Sequence, residues 1–296
     1  MKDDLLMRVV VTGASGVLGQ ELIKRLHLEH GVSTLSISRN LERSIFDHDT
    51  CCTTRELFEN ASLIGSNDIL VNCAFPRTTE GNALACGLDF TAKLFDIASR
   101  RRVKAVINVS SQSVYDPSRT SPASEKAPIV LKGEYAVAKY AAEKLCSSVF
   151  SSIPYSNIRL ASLIGPLYKQ RMVNKMLDQA LSKGRLSLVE SSSRYGLLDV
   201  ADAAVGLAAI ATSVPESWNH VYNLGIEGGY SLNDIGTEVA RYAKTHQGVS
   251  VSIVASGNEG RFTNSEMSCD LFRRQFSWSP VLSLSDSLDR MVVDAL

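Results

Sequence analysis

Residues 7–12 (MRVVVT) form a short, nearly unbroken apolar run, the pattern of a strand covered on both faces. Residues 17–30 follow with Leu18, Leu22, Ile23 and Leu26 spaced to share one helix face. Residues 33–38 read as a second strand and residues 68–74 (DILVNCA) as a clear third. A helical pattern then spans 84–101, a strand pattern 103–109 (VKAVINV), an Ala-rich helix 133–149 and a strand 155–161. Strands alternating with helices at this spacing predict an α/β fold built on a doubly wound parallel sheet.

Beyond residue 163 the rhythm changes. Helical patterns cover 172–181, 199–212 and 230–244, a short strand covers 221–224, and Ser- and Gly-rich stretches at 190–193 and 256–260 read as loops. The pattern predicts a first lobe over 1–163 and a smaller, partly discontinuous second lobe over 164–296. Segments around 196–225 are expected to return to the first lobe.

Composition narrows the function classes. The 296 residues are 45% hydrophobic and 21% charged, as in an ordinary globular chain. Lys plus Arg and Asp plus Glu each number 31, so no overall basic field exists to gather nucleic acid. The run Arg100-Arg101-Arg102 reads as a cationic helix end, which the helix dipole favours. Cys51, Cys52, Cys73, Cys86, Cys146 and Cys269 form no C-x-x-C pair and have no His at ligand spacing, so no metal site is expected. Scattered cysteines in a chain of this size suit a reducing compartment. Met1-Lys2-Asp3-Asp4 opens neither a signal peptide nor a membrane span, and a cytoplasmic protein is expected.

Chemistry enters with Gly13-Ala14-Ser15-Gly16-Val17-Leu18-Gly19, a G-x-x-G-x-x-G turn directly after a strand and at the start of a helix. Glycines there permit the tight turn and let backbone approach phosphate oxygens, while the helix N-terminus offers free N–H groups to a diphosphate. A dinucleotide is therefore the expected cofactor. Its choice is set at the end of the second strand, where an acid binds the 2′-hydroxyl of NAD and an arginine accepts the 2′-phosphate of NADP. Ser38 and Arg39 stand there with no acid beside them, which favours NADP, with NAD as the alternative. Asp49 is a further candidate, as an adenine contact.

Tyr135 and Lys139 lie four residues apart in a helical pattern and share a face. A nearby ammonium is expected to lower the phenol pKa from about 10, letting it exchange a proton with a carbonyl oxygen. The stretch Val109-Ser110-Ser111-Gln112-Ser113-Val114-Tyr115 begins where a strand ends, the usual place for a site in such sheets, and supplies a serine hydroxyl.

With these motifs the chain resembles the extended short-chain dehydrogenase/reductases of the nucleotide-sugar epimerase/dehydratase type. The likeness also runs through Asn72-Cys73-Ala74, Arg159-Leu160-Ala161-Ser162-Leu163-Ile164-Gly165-Pro166 and Asp199-Val200-Ala201-Asp202-Ala203. It ends with Tyr222-Asn223-Leu224-Gly225, Ser231-Leu232 and Trp278-Ser279-Pro280. The resemblance implies a Rossmann-type cofactor domain over 1–163 and a substrate lobe over most of 164–296. It implies that Ser111 binds the substrate carbonyl, that Tyr135 is the acid/base, and that Lys139 holds the nicotinamide ribose. Cys73 and Ala74 then face the cofactor, and Gln112, Ser162, Arg194 and Arg261 the substrate. Arg261, nine residues before Asp270, matches a family arginine for the sugar nucleotide's diphosphate, which a guanidinium binds with paired hydrogen bonds.

Three positions depart from the family pattern. Ser162 stands where asparagine is common, Arg194 falls one place from the usual arginine, and Asp116 replaces a glycine. Gln112-Ser113 replaces the acidic pair typical of dehydratases, which argues against 4,6-dehydration. The leading expectation is NADPH-dependent reduction of a keto group on a nucleotide-linked 4-keto-6-deoxysugar. A nucleotide-sugar epimerase with retained NAD is the alternative, followed by a catalytically silent NADP sensor and a reductase of non-sugar carbonyls. The helices over 84–101 and 133–149 occupy the positions that pair across the family's homodimer interface, so a homodimer is expected.

Overall fold

Val9, Val10 and Val11 are fully buried, and their alternation along β1 (Arg8–Thr12) divides the interior in two. Val9 and Val11 join Leu22, Ile23 and Leu26 of α1 (Val17–His30) in one core, and Val10 joins a second core on the other face. The computed structural model describes residues 7–40, 50–168 and 171–293. Asp49 lies outside the described residues.

The chain continues through β2 (Ser33–Ser38), β3 (Thr50–Thr53), α2 (Thr54–Glu59), β4 (Asp68–Asn72) and α3 (Gly81–Arg100). Next come β5 (Ala105–Ser111), α4 (Glu134–Val149), β6 (Tyr155–Leu160), β7 (Ser162–Ile164) and α5 (Met172–Lys183). After these lie β8 (Arg185–Glu190), β9 (Leu197–Asp199), α6 (Val200–Ala211), β10 (Val221–Leu224) and α7 (Leu232–Gln247). The described chain ends with β11 (Ser252–Glu259), α8 (Asp270–Phe276) and α9 (Leu284–Val293).

Seven of these strands pair in parallel in the order β10–β6–β5–β4–β1–β2–β3. Helices cover both faces: α1 and α6 share the core of Val9 and Val11, while α3 and α4 close the face that holds Val10. This is the doubly wound parallel α/β sheet that the alternating pattern predicts. A third core, with Val173, Leu177, Ile235, Val239 and Leu288, joins α5, α7 and α9 beneath β8. The segments β7–β9 and β8–β11 form two small parallel pairs apart from the main sheet.

Helix limits follow local chemistry. The 230–244 pattern becomes a helix over Leu232–Gln247 because Ser231 and Asp234 form a capping box and Gly248 ends it in the left-handed conformation. Two expectations need correction. The stretch 256–260, read as a loop, belongs mostly to β11, and β8 was not foreseen at all. The alternation of β8 covers only Arg185-Leu186-Ser187-Leu188 and β11 has none; each is a strand because the other supplies its hydrogen-bonding partner.

One row of polar side chains crosses the centre of the sheet. Thr12 is in register with Asn72, Asn72 with Asn108, and Asn108 with Asn157. In a parallel ladder such residues project from the same face. Here Thr12 Oγ1 donates to Asn72 Oδ1 (2.7 Å), Asn72 Nδ2 to Asn108 Oδ1 (3.2 Å) and Asn108 Nδ2 to Asn157 Oδ1 (2.8 Å). All four residues are buried. Replacing Asn108 by Leu should strand Asn72 and Asn157 without partners and cost about 2–4 kcal/mol. Urea denaturation followed by circular dichroism should show the lowered midpoint, and an unchanged midpoint would show that the row carries no stability.

Candidate active site

The C-terminal ends of β1, β4, β5 and β6 open onto a cleft of 360 Å³, where a doubly wound sheet places its ligands. One wall is the glycine turn. Gly13 has φ +69°, and a Cβ there would sit 2.9 Å from the Ala74 nitrogen. At Gly19 a Cβ would come within 2.3 Å of the Gly13 carbonyl oxygen. Steric exclusion restricts both positions to glycine, and at Gly13 the backbone angle does so as well. Gly16 is the N-cap of α1, with no side-chain cap and no acid in the first turn, so the leading N–H groups and the positive end of the helix are left for an anion. Gly13, Gly16, Val17, Leu18 and Gly19 all line the cleft. Ser15 turns aside, its carbonyl accepting from Gln20 Nε2 (3.3 Å). A dinucleotide diphosphate fits this bare, uncapped turn.

The far end of that cofactor would reach the end of β2. The buried Ser38 hydroxyl donates to the Asn40 carbonyl (2.7 Å), while Arg39 is exposed. Ala74 N lies 3.4 Å from Thr12 Oγ1, which ties the loop after β4 to the glycine turn. Cys73 lines the cleft floor, and burial pushes its thiol up to about 12, so it is a neutral wall and not a nucleophile.

Opposite lie Ser111, Tyr135 and Lys139. Ser111 ends β5 and its hydroxyl accepts from Ser113 N (3.2 Å). Tyr135 and Lys139 sit in the first turns of α4 and both line the cleft. Tyr135 hydrogen-bonds Ser111 and meets the Phe75 ring edge-on at 6.3 Å. Lys139 donates to the Val109 carbonyl, and its Nζ stands 4.4 Å from the centre of the Phe75 ring. Burial pushes this ammonium down to about 8, against the pull of Glu143 and Cys73.

Here the expected acidity needs correction. Burial raises the Tyr135 pKa above its ordinary value, and the charges of Arg77 and Arg171 and the Ser111 hydrogen bond only partly offset that rise. Lys139 does not lower it, because the ammonium is directed to the β5 backbone. The phenol is therefore held protonated, in the form that donates to an oxygen.

Behind α4 a buried cluster fixes this helix to the sheet. Arg159 spans Glu143 with two contacts (3.0 and 2.7 Å) and donates to the Tyr115 hydroxyl (2.9 Å). Tyr115 in turn donates to Asn223 Oδ1 (2.7 Å), and Ser110 donates to Glu143 (2.5 Å). These connections span β5, β6, β10 and α4, so they hold the helix bearing Tyr135 at the strand ends.

Of the expected substrate contacts, Ser111, Gln112 and Ser162 line the cleft. Arg194 and Arg261 lie outside it. Arg194 bridges Asn264 through its backbone, with its guanidinium 3.9 Å from Asp234, and Arg261 is exposed. Sequence reasoning missed Phe75, Arg77, Tyr168 and Arg171, all on the cleft wall. They sit in connecting segments where no periodicity marks a side chain as inward-facing. For Arg171 the available signal is that residues 165–177 contain no acid to pair with it; Arg77, three residues before Glu80, carries no such mark.

Residues 9–225 match the NAD dependent epimerase/dehydratase family. The chain belongs to that family. It is an enzyme of the extended short-chain dehydrogenase/reductase type, and no curated protein matches it in sequence at significance. Solved structures similar to it include UDP-N-acetylglucosamine 4-epimerase from Bacillus cereus, with 19% identity, 98% of this chain and 100% of that one covered, and a TM-score of 0.83. UDP-glucuronic acid 4-epimerase from Bacillus cereus, in complex with UDP-glucuronic acid and NAD, shows 18% identity, coverage of 97% and 98%, and a TM-score of 0.81. UDP-glucose 4-epimerase from Thermotoga maritima shows 17% identity, 98% coverage of each chain and a TM-score of 0.81. These likenesses extend the fold over nearly the whole length of this enzyme. Among the described residues no helix is long and apolar enough to cross a membrane, and no cluster of His, Cys, Asp and Glu is set to hold a metal.

Two outcomes follow for the enzyme. Gly19→Ala should weaken dinucleotide binding at least about tenfold, since the new methyl overlaps the Gly13 carbonyl and displaces the turn; calorimetric titration tests this, and unchanged affinity would remove the turn from the binding site. Lys139 gives up its proton near pH 8 when folded but near 10.5 when unfolded. Between those values the unfolded chain binds more protons, so stability rises with pH through that window. Relative to Lys139→Met, the cofactor-free wild type should gain stability from pH 8 to pH 10 in denaturant titrations. A flat difference would mean that the buried lysine is not shifted.

Proposed function

We propose that this enzyme interconverts a nucleotide sugar with its epimer, by oxidising and re-reducing one ring carbinol with a retained NAD. The observation that carries the reading is the Ser111–Tyr135 pair in the same cleft as the glycine turn, with Lys139 anchored beside it. The bound dinucleotide supplies a site for reversible hydride transfer. The chain's own groups do the rest. Ser111 orients the sugar oxygen, and Tyr135 takes its proton as the carbinol becomes a ketone, then returns it after the sugar presents its opposite face. Burial favours the protonated phenol, the form that donates in the return step, while the cationic neighbours Arg77 and Arg171 favour the phenolate, the form that takes the proton in the oxidation. Kinship over nearly the full chain with epimerases of UDP-sugars supports this choice.

The second reading is net reduction of a keto-sugar nucleotide by NADPH. It is favoured by exposed Arg39 at the end of β2, with no acid in Ser38-Arg39-Asn40. The cofactor released on denaturing the purified enzyme separates the two. Retained NAD, together with epimer formation from UDP-glucose or UDP-N-acetylglucosamine without added cofactor, is the expected result. An empty enzyme that consumes NADPH only when given a 4-keto sugar nucleotide would replace it with the reductase. In either case Tyr135→Phe should lower kcat by at least about 100-fold while cofactor affinity stays within about threefold. Surviving turnover would remove Tyr135 from the acid/base role.

A further inference from the structure

The cleft carries more positive charge than a neutral sugar requires. Arg77 follows β4 and Arg171 caps α5, so two distant segments bring two guanidinium groups to the wall that holds Tyr135. No carboxylate among the described residues pairs with either. The Arg171 guanidinium lies over the Tyr168 ring, 5.4 Å from its centre, which fixes its plane. Its Nε is buried without a hydrogen-bond partner, and so is the Ser113 hydroxyl on the same cleft. A buried donor left unpaired destabilises the site, and two like charges at one wall add to that cost. Both costs are relieved by a single kind of ligand, an oxyanion that accepts from Arg171 and Ser113 with the Arg77 charge on the same wall.

The position of the charge selects the source of that oxyanion. Tyr135 must reach the reacting hydroxyl. In a pyranose reacting at C4, the diphosphate hangs from C1, across the ring from C4, whereas the C6 substituent is borne on the adjacent carbon. Arg77 and Arg171 both lie close enough to Tyr135 for their charge to act on its phenol. We propose that Arg77, Arg171 and Ser113 form a carboxylate subsite, and that the substrate is a nucleotide-linked uronic acid. The proposal rests on the sugar-nucleotide reading above and adds the acidic sugar to it. Planar, bidentate donation suits Arg171 to a carboxylate better than lysine would.

Calorimetry on the NAD-loaded enzyme tests the subsite with ligand pairs that differ in the C6 group. These are UDP-glucuronic acid against UDP-glucose, and GDP-mannuronic acid against GDP-mannose, with UDP and GDP alone as controls. The expected result is that the acidic member of one pair binds at least about tenfold tighter than the neutral one. Arg171→Met and Arg77→Met should each shrink that preference to about threefold or less, with neutral-sugar affinity little changed, and Arg171→Lys should fall between. NAD affinity, measured alongside, verifies that each variant is folded. Equal binding of acidic and neutral partners by the wild type overturns the subsite while the sugar-nucleotide reading stands. A loss of affinity in the variants that is equal for UDP, GDP and both sugars also overturns it, by assigning the arginines to the diphosphate. If no nucleotide or sugar nucleotide binds while NAD does, the sugar-nucleotide reading itself fails and the subsite falls with it.

Discussion

Thr12, Asn72, Asn108 and Asn157 join four parallel strands through one buried row of side-chain hydrogen bonds. Amides in the middle of a parallel sheet would be costly unless each found a partner, and each finds one only when four strands are in a single register. A slip of one residue would turn every amide to the opposite face and leave it unpaired. The same register brings Gly13, Cys73, Ser111 and Ala161 to one edge of the sheet. The row is therefore a device that fixes register, and the cleft is its consequence. Its hydrogen bonds continue toward β10, where Asn157 Nδ2 lies 3.5 Å from the His220 carbonyl.

Burial governs the chemistry of the cleft as much as charge does. Tyr135 and Lys139 are both displaced toward their neutral forms by desolvation. That is the opposite of the simple picture in which a lysine one turn away makes the phenol acidic. Lys139 spends its proton on the Val109 carbonyl and its charge on the face of Phe75, so it acts as a fixed post. The positive field at Tyr135 comes instead from Arg77 and Arg171, which belong to loops remote from α4 in sequence. Glu143 stands four residues beyond Lys139 and joins Arg159 in the buried cluster that fastens this helix to the sheet.

Much of this architecture was legible in the chain. The apolar runs of β1 and β4 and the glycine spacing before α1 each carry a strong local signal, because a strand covered on both faces and a phosphate-binding turn tolerate few residue types. Ser111, Tyr135 and Lys139 were marked by a strand end and by a four-residue helical spacing, and the structure brings all three to one cleft. The small pair β8 and β11 could not, since its strands are held by mutual pairing and by the α5–α7 core, with little alternation of their own. The short β7 and β9 are similar: three residues cannot show a period.

The sheet, its winding and the glycine turn are written locally in the chain, because they follow from periodicity and from steric demands on single residues. The protonation of Tyr135 and Lys139 depends instead on how much water the fold excludes, which no local pattern carries. The packing of distant segments likewise sets which arginines line the cleft. Arg194 and Arg261, to which the family resemblance points, stand outside the cleft, while Arg77 and Arg171 line it. A charged side chain in a connecting segment carries no mark of its direction, because the path of the segment is set by cores that neither neighbouring residue forms.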